Sequence, residues 1–306
     1  MNTPRQPSAA SFYATLVAST FLFGSSFVAG KVLIGADVPG MLLAGWRFLV
    51  ASLAALPFVL LERPNSPPLW KLSAREIRSV VAIGLLQTTC VMALLFTSMT
   101  WISASVAAIV MSTAPIWVAL VSWLWLGDVM GPARWLGLLL GVAGVALAIG
   151  TGGAHASVTQ GQWTGELICL FASFCWAAAT VVSKRAQLTI SAWSLAYWQM
   201  LIGSLAILAL AYAIGQRWPA DMDMRHWAWF AWLAVPGSTG AFGLWFVALR
   251  QGGAIRTSSF LFLAPLFATL LSLPVFGTVI TALQIGGGVL IAVALLLVNR
   301  TASPNA

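Results

Sequence analysis

Apolar runs broken by turn residues divide the chain into ten stretches, each near the roughly 20 residues a helix needs to cross the hydrocarbon of a bilayer. They cover 12–34, 40–61, 77–99, 103–126, 132–150, 163–184, 191–214, 226–249, 254–276 and 281–298. The breaks carry turn or charge chemistry: Glu62-Arg63-Pro64-Asn65-Ser66-Pro67-Pro68, Gly127-Asp128 with Gly131-Pro132, Gly150 to Gly161, and Arg250-Gln251-Gly252-Gly253. All connections are short and leave no room for a soluble domain. The first run follows Arg5, where a secretory signal would lie. It extends to Ile34, longer than a signal's apolar region, and reads as a helix of the mature protein.

Composition sharpens this picture. Of 306 residues, 60% are hydrophobic and only 7% charged, with a mean hydropathy of +0.94. A soluble domain carries about 25% charged residues, and a core cannot remove charge from the surface as well. Lipid is therefore the solvent for much of the chain.

The net charge of +8 does not mark a nucleic-acid partner, because the basic residues are dispersed in ones and twos. With the N-terminus inside, Arg5, Arg63, Lys71, Arg75, Arg78, Arg134, Lys184, Arg185, Arg250, Arg256 and Arg300 fall on the cytoplasmic side. Lys31, Arg217 and Arg225 fall outside, and Arg47 lies within a span. This positive-inside bias predicts cytoplasmic termini. Cys90, Cys169 and Cys175 lie in apolar stretches and read as small packing residues rather than a disulfide framework. His155 and His226 are far apart in polar connections, so no metal site and no cofactor is expected.

The halves repeat. Phe23-Gly24-Ser25-Ser26-Phe27-Val28-Ala29-Gly30-Lys31 lies over Trp176-Ala177-Ala178-Ala179-Thr180-Val181-Val182-Ser183-Lys184, an offset of 153. Leu94-Leu95-Phe96 lies over Leu244-Trp245-Phe246, and Ala114-Pro115 over Ala264-Pro265, both at 150. Trp135-Leu136-Gly137 lies over Gln284-Ile285-Gly286 at 149. Five spans per half is an odd number, so the halves are expected to be inverted in the membrane. The fold class is then an all-α membrane protein, ten transmembrane helices as two inverted five-helix repeats. The organisation is a cytoplasmic tail (1–11), a first repeat (12–150), an outer linker (151–162), a second repeat (163–298) and a second cytoplasmic tail (299–306).

The two five-helix halves, the Phe23-Gly24-Ser25-Ser26-Phe27 start, the Trp46-Arg47-Phe48 patch and Pro115 before Leu126-Gly127-Asp128 resemble the EamA-domain carriers of the drug/metabolite transporter superfamily. The resemblance spans essentially the whole chain. It implies ten helices, cytoplasmic termini and a central cavity open alternately to each side. It also implies export of amino acids or other metabolites, as in exporters of the YddG type. One departure is Asp128 where the family has Glu, with Thr278 as its counterpart in the second half.

Charges within spans are the first functional candidates. Arg47 fits either snorkelling and helix-end hydrogen bonding or a cavity anchor for a substrate carboxylate. Glu166, a turn into the sixth span, is an interfacial residue or a coupling group, since no Asp or Glu sits near the middle of any span. Lys31 reads as snorkelling at the outer end of the first span.

Pro115 and Pro265 interrupt helices four and nine, as static kinks or as gating hinges. Trp70, Trp163, Trp193, Trp218 and Trp227 fit an interfacial belt. Trp176, Trp245, Phe27 and Phe246 face either lipid or a cavity, where they would form an aromatic wall. Gln87, Thr88, Gln199, Ser238 and Thr239 either orient a substrate or bond helix to helix. Gly137, Gly141 and Gly144 with Gly286, Gly287 and Gly288 permit close packing of helices five and ten, or a dimer contact.

The preferred reading is a secondary carrier in a bacterial-type inner membrane, monomeric or homodimeric, with a small-molecule substrate and the lipid bilayer as partners. Substrate-binding candidates are Phe27, Arg47, Gln87, Trp176, Gln199, Trp245 and Phe246. The rivals are efflux of hydrophobic or cationic drugs, a channel, and an intramembrane enzyme, for which no catalytic dyad is present in the spans.

Overall fold

The computed structural model describes residues 9–62, 67, 71–102, 104–149, 161–277 and 281–299. Expectations for Arg5, Arg63, Trp70, His155, Thr278, Arg300 and the 151–160 connection lie outside these residues. Among the described residues the chain is all-helical: nine helices are long and apolar enough to cross a membrane, and Pro132–Ala148 is apolar but shorter. In chain order they are α1 (Ala9–Ile34), α2 (Gly40–Glu62), α3 (Ala74–Ser98), α4 (Ala104–Met111 and Ala114–Leu126) and α5 (Pro132–Ile149). There follow α6 (Gln162–Arg185), α7 (Ala192–Ala213), α8 (Met224–Gln251), α9 (Ala254–Phe276) and α10 (Ala282–Asn299). Exposed side chains such as Leu61, Leu124, Leu167 and Leu296 give these helices an apolar outer surface, as lipid requires of a multi-pass protein.

α3 and α8 begin before the apolar pattern does, because polar caps start them. Ser73 Oγ accepts from the Glu76 backbone N–H at 3.3 Å, and Glu76 Oε2 accepts from the Ser73 N–H at 3.0 Å, a reciprocal capping box. Asp223 Oδ1 accepts from the His226 N–H at 2.8 Å. That hydrogen bond, with further help from the His226 ring and the Arg225 N–H, holds the Asp223 carboxyl below its usual range. A depressed carboxylate pKa stabilises above the unfolded value, about pH 4, and the contribution is lost as pH falls through the lowered value.

The helices are interrupted at matched places. α3 carries a π segment at Leu85–Cys90 and α8 one at Val235–Gly240, an offset of 150. α4 stops at Met111 and restarts at Ala114; α9 passes through a 3-10 turn, Phe260–Phe262, before Leu263–Phe276. The second pieces of α4 and α9 both end on a glycine in the left-handed region, Gly127 (φ 73°) and Gly277 (φ 64°). Each proline lies just after an irregular point of its helix. Pro115 and Pro265 lie in the first turn of the second piece of α4 and α9, and Pro115, at its second residue, stands where an N–H has no partner within the piece. The break precedes each proline.

α5 packs along α10, and α2 along α7. A Cβ on Gly144 would stand 2.8 Å from the Gly287 carbonyl, and one on Gly137 3.0 Å from that of Ala294. Gly141 lies under the Phe262 ring. These glycines are thus covered within the chain, which takes them out of any dimer contact. Gly286 is a correction: a Cβ there meets nothing within 4 Å, because the helix turns it away from α5. Gly287→Val is therefore expected to cost about 1–3 kcal/mol by overpacking, read as a lower Tm in detergent. Gly286→Val should leave Tm within about 1 °C, since a surface change is nearly neutral.

Candidate functional site

Between the α5–α10 and α2–α7 pairings, α1 and α6 approach each other at one ring contact. α1 packs on α8 and α9, and α6 packs correspondingly on α3 and α4. Phe23 of α1 and Trp176 of α6, aligned in the repeat, touch edge-on with ring centroids 5.9 Å apart. Phe242 and Trp245 of α8 close on them: Phe23–Phe242 is 5.1 Å, Phe23–Trp245 6.1 Å, Trp176–Phe242 5.8 Å and Trp176–Trp245 6.0 Å. Phe48 of α2 adds an edge to Phe242 at 5.5 Å. All five rings are buried. The indole Nε1 of Trp176 and of Trp245 is buried with no hydrogen-bond partner among the described residues. A buried N–H donor normally has one, so these two are poised for an acceptor.

The polar candidates gather at the π segments. A π turn frees backbone carbonyls and recurs at functional sites. Thr88 Oγ1 donates to Gln199 Oε1 at 2.8 Å, and Thr89 Oγ1 donates to the Gly203 carbonyl at 3.0 Å. In α8, Thr239 Oγ1 donates to the Ala51 carbonyl at 2.7 Å and Ser238 Oγ to the Leu233 carbonyl of its own helix at 2.8 Å. Ser26 Oγ donates to the Gly237 carbonyl at 2.7 Å. The Thr89–Gly203 and Thr239–Ala51 bonds are the same bond made once in each half. Gln87 is fully buried with neither amide atom bonded, and Gln199 Nε2 is likewise unpartnered among the described residues.

By the helix starts Gly40 and Ala192, Arg47 in α2 holds the place of Gln199 in α7. Arg47 is half-buried, its guanidinium lies 4.4 Å over the Phe48 ring, and its Nε has no partner among the described residues.

Phe246 is buried in the same core as the five rings, whereas Phe27 stands apart, 53% exposed near the Lys31 end of α1. Glu166 is half-buried and Oε1 accepts from Gln162 Nε2 at 2.8 Å, a contact one turn away on its own helix.

The two ends of the bundle differ. At the Lys184 end, Lys184 Nζ donates to the carbonyls of Leu249, Arg250 and Gly252 at 3.1, 3.5 and 2.6 Å, joining α6 to the end of α8. Arg250 donates to the Ile190 carbonyl, and Glu76 Oε1 accepts from Thr189 N and Oγ1 at 3.1 and 2.7 Å. At the Lys31 end the lysine lies 4.6 Å over the Phe276 ring. Phe242, Trp245 and Phe246 are 0–1% exposed, whereas Met92, Leu95 and Phe96, their counterparts at an offset of 150, are half-buried. Thr180 is fully buried, and its counterpart is the exposed Phe27.

Comparison with known proteins names this architecture. The model of the EamA-like transporter family matches the chain twice, over residues 10–150 and 163–300. The chain belongs to the EamA-like transporter family. It is a transporter by family, not an enzyme. Similar proteins include an uncharacterized transporter of Synechocystis sp., 29% identical over 94% of this chain and 89% of the relative. Another is the uncharacterized inner membrane transporter YedA of Escherichia coli, 24% identical over 89% of this chain and 85% of its own. A crystal structure 21% identical shares the fold, with a TM-score of 0.79 over 97% of this chain and 100% of that one.

Phe23, Phe48 and Phe242 complete the ring cluster of this EamA protein, and the residue-by-residue reading did not single them out. The repeat held the signal, since Phe23 aligns with Trp176. Removing the Thr88 hydroxyl tests the polar site: Thr88→Val leaves Gln199 Oε1 buried without its donor, and should cost about 1–3 kcal/mol in thermal unfolding.

Proposed function

We propose that this EamA protein is a secondary carrier of ten transmembrane helices in two inverted halves, exporting small metabolites such as amino acids by alternating access. One observation carries the reading. Matched residues of the two halves lie in unlike surroundings: packed shut around Phe242, Trp245 and Thr180 at one end, open around Met92, Leu95 and Phe27 at the other. A repeat that closes one end by a given packing can close the other by the same packing, and the two closures exclude each other. Recurrence of the π segments, of the breaks in α4 and α9 and of the Thr–carbonyl bonds supports the repeat.

Lys71, Arg75, Arg78, Arg134, Lys184, Arg185, Arg250 and Arg256 lie toward the Lys184 end, against Lys31, Arg217 and Arg225 at the other. The bias makes the Lys184 end and both termini cytoplasmic, and this form outward-open. The inner-membrane name of the relative YedA supports a bacterial-type inner membrane as the location.

Trp176 Nε1, Trp245 Nε1 and Gln199 Nε2 are donors without a partner among the described residues, and Arg47 adds a cation, so an acceptor such as a carboxylate is the group this interior suits. The aromatic rings favour drug efflux as the second reading, although no mid-span carboxylate is present for a cationic drug.

Labelled amino acids in proteoliposomes, with and without a pH gradient, test the choice. Counterflow of at least one amino acid is expected, and Trp245→Ala should lower its rate at least tenfold with folding retained. Movement of cationic dyes and of no amino acid would establish the drug reading instead. Glu166→Gln should leave the pH profile of transport unchanged, because Gln162 already holds this carboxylate at the helix end; a flattened profile would make it the coupling group.

A further inference from the structure

A helix C-terminus presents unpaired carbonyls and the negative end of the helix dipole. A lysine ammonium brings three donors and no acceptor. At the Lys184 end these meet: one Nζ gathers three carbonyls from the end of α8. The same parts exist at the other end. Lys31 lies in the last turn of α1 as Lys184 does in the last turn of α6. A non-glycine residue in the left-handed region follows each helix, Asp37 (φ 59°) six residues after Lys31 and Gln187 (φ 43°) three after Lys184. The α3 counterparts of Leu249, Arg250 and Gly252 at that offset are Met99, Thr100 and Ile102, where α3 ends at the Lys31 end. Lys31 is exposed and held over the Phe276 ring, and the space beside Gly30 is open.

We propose that Lys31 and Lys184 are the two positions of one latch. When the Lys184 end opens, Lys184 leaves the α8 carbonyls, and Lys31 swings from Phe276 onto the carbonyls of Met99, Thr100 and Ile102 to shut the Lys31 end. This rests on the alternating-access reading above and assigns the groups that hold each state. The two closures are unequal. Arg250 adds a second tie, to the Ile190 carbonyl, whereas its counterpart Thr100 is too short to reach across the loop. The form closed at the Lys184 end is therefore favoured at rest.

Phe27 and Thr180 are matched reporters, one exposed and one buried. Single F27C and T180C variants of the full chain, in a background with Cys90, Cys169 and Cys175 replaced that still transports, are labelled with a maleimide in proteoliposomes. With both lysines present, F27C should label quickly and T180C slowly. K184M should raise labelling of T180C about tenfold and lower that of F27C, since the lost bonds are charge-assisted and held one state. K31M should move the ratio the opposite way, and K31M/K184M should return it toward the starting value. Lys31 is exposed, so K31M carries the test even where K184M does not fold.

The lock that separates the two ideas is a K31C/T100C pair joined by a short bis-maleimide, which shuts the Lys31 end. Should this lock fail to expose T180C, alternating access itself falls. Should it expose T180C while K31M and K184M each leave both labelling rates within twofold, the latch falls and the carrier reading stands. A shift of the same sign in both single variants would also overturn the latch.

Discussion

A bilayer interior offers no water to a backbone carbonyl or N–H, so every departure from a continuous α-helix in this protein needs a partner within the bundle. The π segments of α3 and α8 are departures of this kind. In α8 hydroxyls meet this need, Ser238 donating to the Leu233 carbonyl and Ser26 of α1 to the Gly237 carbonyl, while Thr89 and Thr239 tie each segment's helix to the carbonyl of a neighbour. The same requirement draws Lys184 to the end of α8. Helices that exchange hydrogen bonds at their irregular points are joined there specifically, and elsewhere by close packing such as that of Gly144 on Gly287 and by further bonds such as Trp46 to Tyr212 and Trp232 to Ser25.

That arrangement separates what is fixed from what can move. α5 on α10 and α2 on α7 are tight pairings, one from each half. Around the centre, α1 and α6 meet chiefly through aromatic edges, Phe23 on Trp176 and both on Phe242 and Trp245. Ring edges give large contact area with loose directional demands, and so can slide without leaving a polar group unpaired. The interruptions of α4 and α9 lie at matched heights. The prolines behind them start the second helical pieces rather than bending a continuous one.

Several features were legible in residue order because lipid imposes them one segment at a time. The apolar runs located the helices to within a few residues, and at α3 and α8 a cap, Ser73 or Asp223, began the helix earlier in polar sequence. The repeat was legible through Phe23 over Trp176 and Ala114-Pro115 over Ala264-Pro265. Gly286 was misplaced because a run of three glycines does not say which of them the helix turns toward its neighbour. The π segments were invisible, since their sequences, Leu-Leu-Gln-Thr-Thr-Cys and Val-Pro-Gly-Ser-Thr-Gly, share only the threonine at the fifth position.

The ten apolar runs and the doubling of the fold were thus determined by the sequence alone, because each depends on spacing or composition along the chain. Which candidates come together was decided only by the tertiary structure. Trp176 and Trp245 joined Phe23, Phe48 and Phe242 in one cluster, Gln199 was paired with Thr88, and Phe27 was left exposed at one end. The asymmetry between the ends belongs to the same class. Two halves with nearly the same pattern can pack with either end closed, and a pattern common to both halves cannot say which closure the bundle adopts.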